Sequence, residues 1–342
     1  MTNRRLPAEW EPQRFVQFTF PHRESDWAYM YDEVAECFSD LITSTAQFVP
    51  VLVVCADMRE TAEFIQGETE HPILFVEQPS NDTWARDHGA ITVMDGGQPL
   101  LLDFTFNGWG QKFEASLDNK ISQGIHSQGI LSDDLQPIDF VLEGGAIESD
   151  GKGTLLTTSE CLLSKFRNPQ MSKEEIEAFL KDIFGLQQVL WLDHGYLAGD
   201  DTDSHIDTLA RLCDENTIAY VKCDDQEDEH FEALEKMEAQ LKSFKKLDGE
   251  PYQLVELPWP EACFDEDGQR LPATYANFLI TNEAVLVPTY NVAQDDKAVL
   301  AIQNIFPNHK VVGVNCRPLI EQHGSLHCIT MQYPESVNVS WL

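Results

Sequence analysis

Strand-length apolar runs and amphipathic helical stretches alternate along almost the whole chain, with no linker or low-complexity tract between them. Strands are expected over residues 11–21, 49–55, 73–76, 100–106, 154–158, 189–192, 218–221, 252–257, 278–280, 285–288, 311–314 and 328–332. A further apolar strand end at 140–142 leads into Glu143-Gly144-Gly145. Helical periodicity fills 25–42, 58–66, 172–183, 227–244 and 297–306, and Ser172 with Glu175 forms a capping box. Alternation of this kind requires an α/β fold. A polar or glycine turn followed by a strand recurs near Pro12, Asp95, Lys152, Glu215 and Asn282, roughly 55 to 85 residues apart. That spacing fits supersecondary units set around an axis, and it equally fits a doubly wound sheet with mixed strands. With no break in composition, residues 1–342 are expected to form one domain.

Charge narrows the range of partners. The chain carries 23 Lys+Arg against 58 Asp+Glu, a formal net charge of −35. Nucleic acid is therefore not an expected partner, whereas a small cation would be drawn toward an acidic cleft. The eight cysteines are scattered without a CxxC pair, as suits a reducing compartment. The first ten residues hold no apolar segment, so no signal peptide is expected, and no run reaches membrane-spanning length. A cytoplasmic protein is the expectation, and a homodimer is the oligomeric state considered.

Chemistry-bearing residues gather in four places. Asn81 to Asp87 places Asp82, Trp84, Arg86 and Asp87 within seven residues, where two carboxylates could hold a cation and Arg86 restrain their pKa, or form an exposed loop with a local ion pair. Glu143 stands at the end of an apolar strand, ahead of Gly144 and Gly145, where a carboxylate needs a histidine or cationic partner. Asp200 to Asp207 is the densest polar run, and if 204–209 is extended, His205 and Asp207 share a face. Finally, Gly324-Ser325-Leu326-His327-Cys328 sets a thiol at the mouth of a strand, behind a glycine that permits close approach.

A thiol, an imidazole and carboxylates at 87, 143 and 207 suit one kind of reaction. A thiolate is a strong nucleophile at neutral pH, and histidine can move its protons. Two carboxylates gripping a planar cation point to a guanidinium group. Substitution at its sp2 carbon with loss of ammonia needs neither metal nor redox cofactor.

Leu6-Pro7-Ala8-Glu9-Trp10-Glu11-Pro12, Asn81 to Asp87 with Gly89, Glu143-Gly144-Gly145, Gly153 to Thr158, Arg167-Asn168-Pro169, His205-Ile206-Asp207, Tyr275 to Phe278 and His327 to Thr330 occur in that order. In this the chain resembles the agmatine deiminases and the bacterial-type peptidylarginine deiminases of the guanidine-modifying, or pentein, superfamily. The resemblance implies a five-bladed α/β propeller of ββαβ-type units around a pseudo-fivefold axis. It implies Cys328 as the nucleophile forming a covalent thiouronium, His205 as general acid/base, Glu143 orienting and charging His205, and Asp87 and Asp207 holding the guanidinium nitrogens. The product would be a ureido compound, N-carbamoylputrescine from agmatine, plus ammonia. Two departures bear on the substrate's far end: His323-Gly324-Ser325-Leu326 stands where the family has a longer glycine run, and Met331 and Tyr333 stand where it usually has glutamines.

Candidates for agmatine's amine end are Glu9, Asp82, Asp201 and Trp84, with Gly324 at the same mouth. The peptidyl enzymes of this kind carry a signal peptide and an added immunoglobulin-like domain, neither of which is expected here, so a small substrate is favoured. Alternatives stay open: a free- or peptidyl-arginine deiminase giving citrulline, a metal-dependent amidine hydrolase using His323, His327, His205 and Asp207, or a catalytically inert binder of arginine-like ligands.

Overall fold

The structure, a computed structural model, describes residues 4–342. Its six sheets include five built on one plan. In each, a short strand runs antiparallel to a central strand, and a helix-bearing crossover returns the chain parallel on the central strand's other side. The sets are Ile91–Asp95, Gln98–Thr105 and Leu135–Val141; Ile147–Ser149, Thr154–Thr158 and Gln188–Leu192; Ala210–Leu212, Thr217–Val221 and Gln253–Leu257; and Leu279–Ile280, Ala284–Thr289 and Lys310–Asn315. The fifth joins the two ends of the chain. Thr330–Pro334 lies antiparallel on Gln13–Thr19, which pairs in parallel with Val51–Cys55, and that strand with Ile73–Glu77. Cys263–Phe264 and Arg270–Leu271 form a separate small hairpin. Among the described residues no sheet closes on itself.

The recurrence at Pro12, Asp95, Lys152, Glu215 and Asn282 has a direct structural meaning. Each turn lies just ahead of the central strand of one of these five sheets. The central strands Thr154–Thr158 and Thr217–Val221 are buried at every position, because a helix covers what a neighbouring sheet does not. Helix Lys173–Phe184 starts on the expected capping box, stops at Gly185 in the left-handed region (φ 70°), and buries Ile176, Leu180, Ile183 and Phe184.

Three local expectations need correction. The helix expected over 227–244 spans Phe231–Leu241, since its acidic approach is a turn. The last strand begins at Thr330, so Cys328 lies in the turn before it. Residues 204–209 are not extended: Ser204 has φ 63° and Ile206–Thr208 is a 3-10 turn.

That third correction exposes a rule of the architecture. Asp87, Glu143, His205 with Asp207, Asn277 and Cys328 each lie a few residues before the short first strand of a different sheet. Five separate segments thus deliver their side chains to one place.

An aromatic pair packs the two chain ends together in the fifth sheet. Phe15 and Tyr333, both fully buried, stack at 4.4 Å with planes 12° apart, and the Tyr333 hydroxyl donates to Gln17 Oε1 at 3.0 Å. Phe15→Ala should destabilise the protein by about 3–5 kcal/mol, the usual cost of truncating a buried aromatic, with an unchanged denaturant slope in urea unfolding.

Candidate active site

Cys328, His205, Asp87 and Asp207 converge, as the sequence leads one to expect. Asp87 follows Trp84 on the one-turn helix Ala85–His88. Its carboxylate accepts from Trp109 Nε1 at 2.9 Å and from the Gly145 backbone N–H at 3.0 Å. His205 Nδ1 stands 3.7 Å from Asp87 Oδ1. The Cys328 sulfur lies 4.0 Å from Asp207 Oδ2 and 3.4 Å from Asn277 Oδ1.

Gly145 makes the convergence possible. A Cβ there would stand 2.6 Å from His205 Nδ1, 2.9 Å from Asp87 Oδ1 and 3.1 Å from Asp207 Oδ2. The Gly-Gly pair after Glu143 is therefore the hole into which three polar groups fit.

Several of these groups are buried without a partner. Both ring nitrogens of His205 and Asp207 Oδ1 make no hydrogen bond among the described residues. Buried polar atoms are nearly always satisfied, so orphans clustered beside a thiol mark a place where a ligand completes the bonding.

The electrostatics separate the two aspartates. Burial pushes the Asp87 carboxyl up to about 6, although His205 and Trp109 pull it back. For Asp207 burial acts the same way, yet bonding and charge from His327 prevail and hold it below the usual carboxylate value. Burial opposes the charged form of His205, but Asp87, Cys161 and Glu143 outweigh it and hold the imidazole up at about 10. Burial above all, then Asp207 and Asp87, raises the Cys328 thiol well above its ordinary range. The resting pair is a neutral thiol beside an imidazolium.

Cys328 and Asp87 open onto a pocket of about 410 Å³, walled by Trp84, Trp109 and Phe113. Asp82, Asp201 and Thr202 complete it with His323 and Gln322, and no Arg or Lys lines it. Gly324 belongs to the same wall because a Cβ there would meet the Trp84 ring at 2.1 Å. Asp82 is turned inward: its Oδ1 accepts from Trp27 Nε1 at 3.2 Å and from the Thr83 backbone N–H at 2.8 Å, and burial pushes it up to about 6. Asp201 is the half-buried one, with Oδ2 3.9 Å from His323 Nε2.

Other expected roles change. Arg86 does not restrain Asp82 or Asp87, since its guanidinium turns to Gln332 Oε1 at 2.6 Å and to the His327 carbonyl. Glu9 does not face the pocket. It accepts from Arg211 Nη2 at 2.7 Å and pairs with His327 Nε2 at 2.7 Å, and it lines a separate cavity that does not include Cys328. Glu143 is fully buried and clamped by Arg167, whose Nε lies 2.9 and 3.0 Å from its two oxygens. Its carboxylate, Cys161 Sγ and a His205 ring nitrogen lie within 4.8 Å of one another, so Glu143 acts on His205 through its charge rather than a hydrogen bond. His323 and His327 do not pair: His323 closes a 3-10 turn with φ 67° and bonds the Gly199 carbonyl, while His327 is buried behind Asp207.

The family is decided by comparison. The model of the Porphyromonas-type peptidyl-arginine deiminase family matches residues 5–334. The chain belongs to that family. A Marinomonas sp. (strain MWYL1) protein named "Putative agmatine deiminase" is 34% identical, covering 98% of this chain and 95% of its own. A crystal structure named "Putative Arginine Deiminase" from Porphyromonas gingivalis is 50% identical with a TM-score of 0.94, covering 98% and 99%. A cysteine-to-serine variant of the C. jejuni agmatine deiminase, solved with substrate bound, is 39% identical with a TM-score of 0.91, covering 97% and 96%.

Two residues of the site had no role assigned from sequence. Asn277 accepts through Oδ1 from the His327 backbone N–H at 2.8 Å and donates through Nδ2 to the Asp207 carbonyl at 3.2 Å, so it pins the thiol to a carboxylate segment. Trp109, with φ 55°, donates to Asp87. The signal for the second was the turn-rich Asn107-Gly108-Trp109-Gly110, which places an indole in a strained turn.

Gly145→Ala should leave the fold intact, since its backbone is not in the left-handed region, yet displace His205 against Asp87. Turnover should fall by about 10²-fold or more, as for a misplacement near 1 Å, with thermal unfolding little changed.

Proposed function

We propose that the protein hydrolyses the guanidinium group of agmatine, giving N-carbamoylputrescine and ammonia through a thiouronium on Cys328. The observation that carries this reading is the thiol facing two buried carboxylates, Asp87 and Asp207, beside an unpartnered imidazole. Relatives named as agmatine deiminases over nearly the full chain support it.

The guanidinium would bridge Asp87 and Asp207, and its charge offsets the carboxylates that keep Cys328 protonated. Sulfur then attacks the guanidinium carbon as its proton passes to the nitrogen that will depart. The C–N bond breaks, and the ammonia set free takes the proton of the His205 imidazolium, leaving ammonium, the thiouronium on Cys328 and a neutral imidazole. Once ammonium has left, the neutral imidazole takes a proton from water as it attacks the thiouronium carbon. Collapse breaks the C–S bond, sulfur regains its proton, and the ureido product departs. One water is consumed for each ammonium released. Glu143, held by Arg167, favours the charged form of His205.

A pocket walled by three aromatic rings and carrying acidic Asp201 suits a second cationic centre on the substrate. Free arginine would bring an α-carboxylate, for which no Arg or Lys lines the pocket. The name of the P. gingivalis structure favours arginine as the second reading. Ammonia release measured on agmatine, free arginine and an arginine-containing peptide separates them. Agmatine should be turned over fastest, and Cys328→Ala should abolish release from all three. Faster turnover of arginine or the peptide would overturn the assignment.

The five like sheets support reading the fold as a five-bladed pentein propeller in one domain over 1–342. Among the described residues no helix is long and apolar enough to cross a membrane, and the eight free thiols accord with placement in the cytoplasm.

Asp87 must be ionised to hold the cation, and His205 protonated to release ammonia. Below about pH 6 Asp87 takes up its proton, and above about pH 10 His205 loses its own, so kcat/KM should fall on both sides of that window. His205→Ala should lower kcat by about 10²- to 10⁴-fold.

A further inference from the structure

We infer that His327 is a positioning residue, which keeps Asp207 ionised and aimed at the substrate through a buried chain of charges ending at Glu9. This rests on the assignment of Asp207 as a guanidinium-holding carboxylate.

His327 precedes the nucleophile, so a histidine there invites the reading that it activates sulfur. Its geometry says otherwise. The ring is about 1% exposed, and both nitrogens are engaged: Nδ1 lies 2.7 Å from Asp207 Oδ2 and Nε2 lies 2.7 Å from Glu9 Oε2. An ionised carboxylate only accepts, so Nδ1 donates to Asp207, while Nε2 stands between Glu9 Oε2 and Arg211 Nη2, the latter 3.1 Å away. Neither nitrogen is left for the thiol. Arg211 Nη2 reaches the same Glu9 oxygen at 2.7 Å, and Arg211 Nε binds Glu148 Oε1 at 2.5 Å. The Phe278 and Ala276 carbonyls take Arg211 Nη1 at 2.6 and 3.1 Å.

This chain has two effects on the site. It spends Asp207 Oδ2 and leaves Oδ1 as the open acceptor, which fixes how the cation must approach. It also makes the two site aspartates unequal: Asp207 accepts from the His327 ring, with the Arg211 guanidinium behind it, whereas Asp87 accepts from Trp109 and the Gly145 backbone and has His205 Nδ1 3.7 Å away. The other charged groups acting on this cluster are Glu148, Arg86 and His205. Glu9 is thus conscripted from the start of the chain to support a carboxylate 198 positions later.

The test compares full-length His327→Gln, Glu9→Gln and Asp207→Asn by ammonia release from agmatine across pH. His327→Gln should raise KM by about ten- to a hundredfold, the worth of a lost charge-assisted hydrogen bond, with a smaller fall in kcat. It should also move the acid limb of kcat/KM to higher pH, because Asp207 then loses its nearest hydrogen-bond donor and keeps only the charges of His205 and Arg211. Glu9→Gln, which keeps shape and removes charge, should move both readouts the same way by less. Folded variants with the wild-type KM and acid limb would overturn the inference. If His327→Gln fails to fold, Glu9→Gln alone decides. Asp207→Asn should abolish turnover; retained turnover there would refute the guanidinium assignment itself, whatever the other two variants show.

Discussion

Two carboxylates, an imidazole and a thiol held together away from water are an unfavourable assembly unless something completes them. Like charges at short range in a poorly polarisable interior raise each other's energy, and each loses its hydration. The rest of the structure can be understood as the means of holding this assembly together until a cation arrives. Gly145 removes the Cβ that would fill its centre, Arg167 neutralises Glu143, and His327 steadies Asp207. What stays unsatisfied is hydrogen bonding: Asp207 Oδ1 and both His205 ring nitrogens have no partner among the described residues.

The supports come from far apart in sequence because the fold delivers one loop per sheet. Each loop enters just before a short inner strand, and the central strand behind it is buried. A loop anchored on such a strand has little freedom, so its side chains keep a fixed place relative to those of the other loops. The same plan explains why the buried charges form two tiers. Asp87, His205, Asp207 and Cys328 are in the first, and Glu143–Arg167 and Glu9–Arg211–Glu148 stand behind them. The rear pairs are guanidinium–carboxylate contacts.

Much of this was legible from sequence, and the failures are instructive. The turns at Pro12, Asp95, Lys152, Glu215 and Asn282 marked the five central strands, since turn residues and buried β-branched runs are local signals. Ser172 and Glu175 marked a helix start for the same reason. The strands at Ile91–Asp95 and Ala210–Leu212 escaped notice because they are too short to carry a periodicity, the second being three residues, all buried. His205 and Asp207 were rightly paired for a wrong reason. Strand alternation was expected to align them, but a 3-10 turn opening on a left-handed Ser204 does so. Glu9 stood among four candidates for the substrate's amine end because acidity is visible in sequence and direction is not.

The amino-acid order by itself determined the α/β class, the approximate position of the turns ahead of the central strands, and the inventory of the chemistry: one thiol behind a glycine turn, one histidine between aspartates, one glutamate before two glycines. These follow from local preferences and from residue types, which need no partner to be recognised. Only the tertiary structure decided which acids face the substrate and which face each other. Glu9 and Asp201 are both acidic residues beside polar loops, yet one is bound by Arg211 and His327 and the other lines the pocket. That difference arises from contacts across some two hundred residues or more, where charge, burial and the available hydrogen-bond donors are settled together.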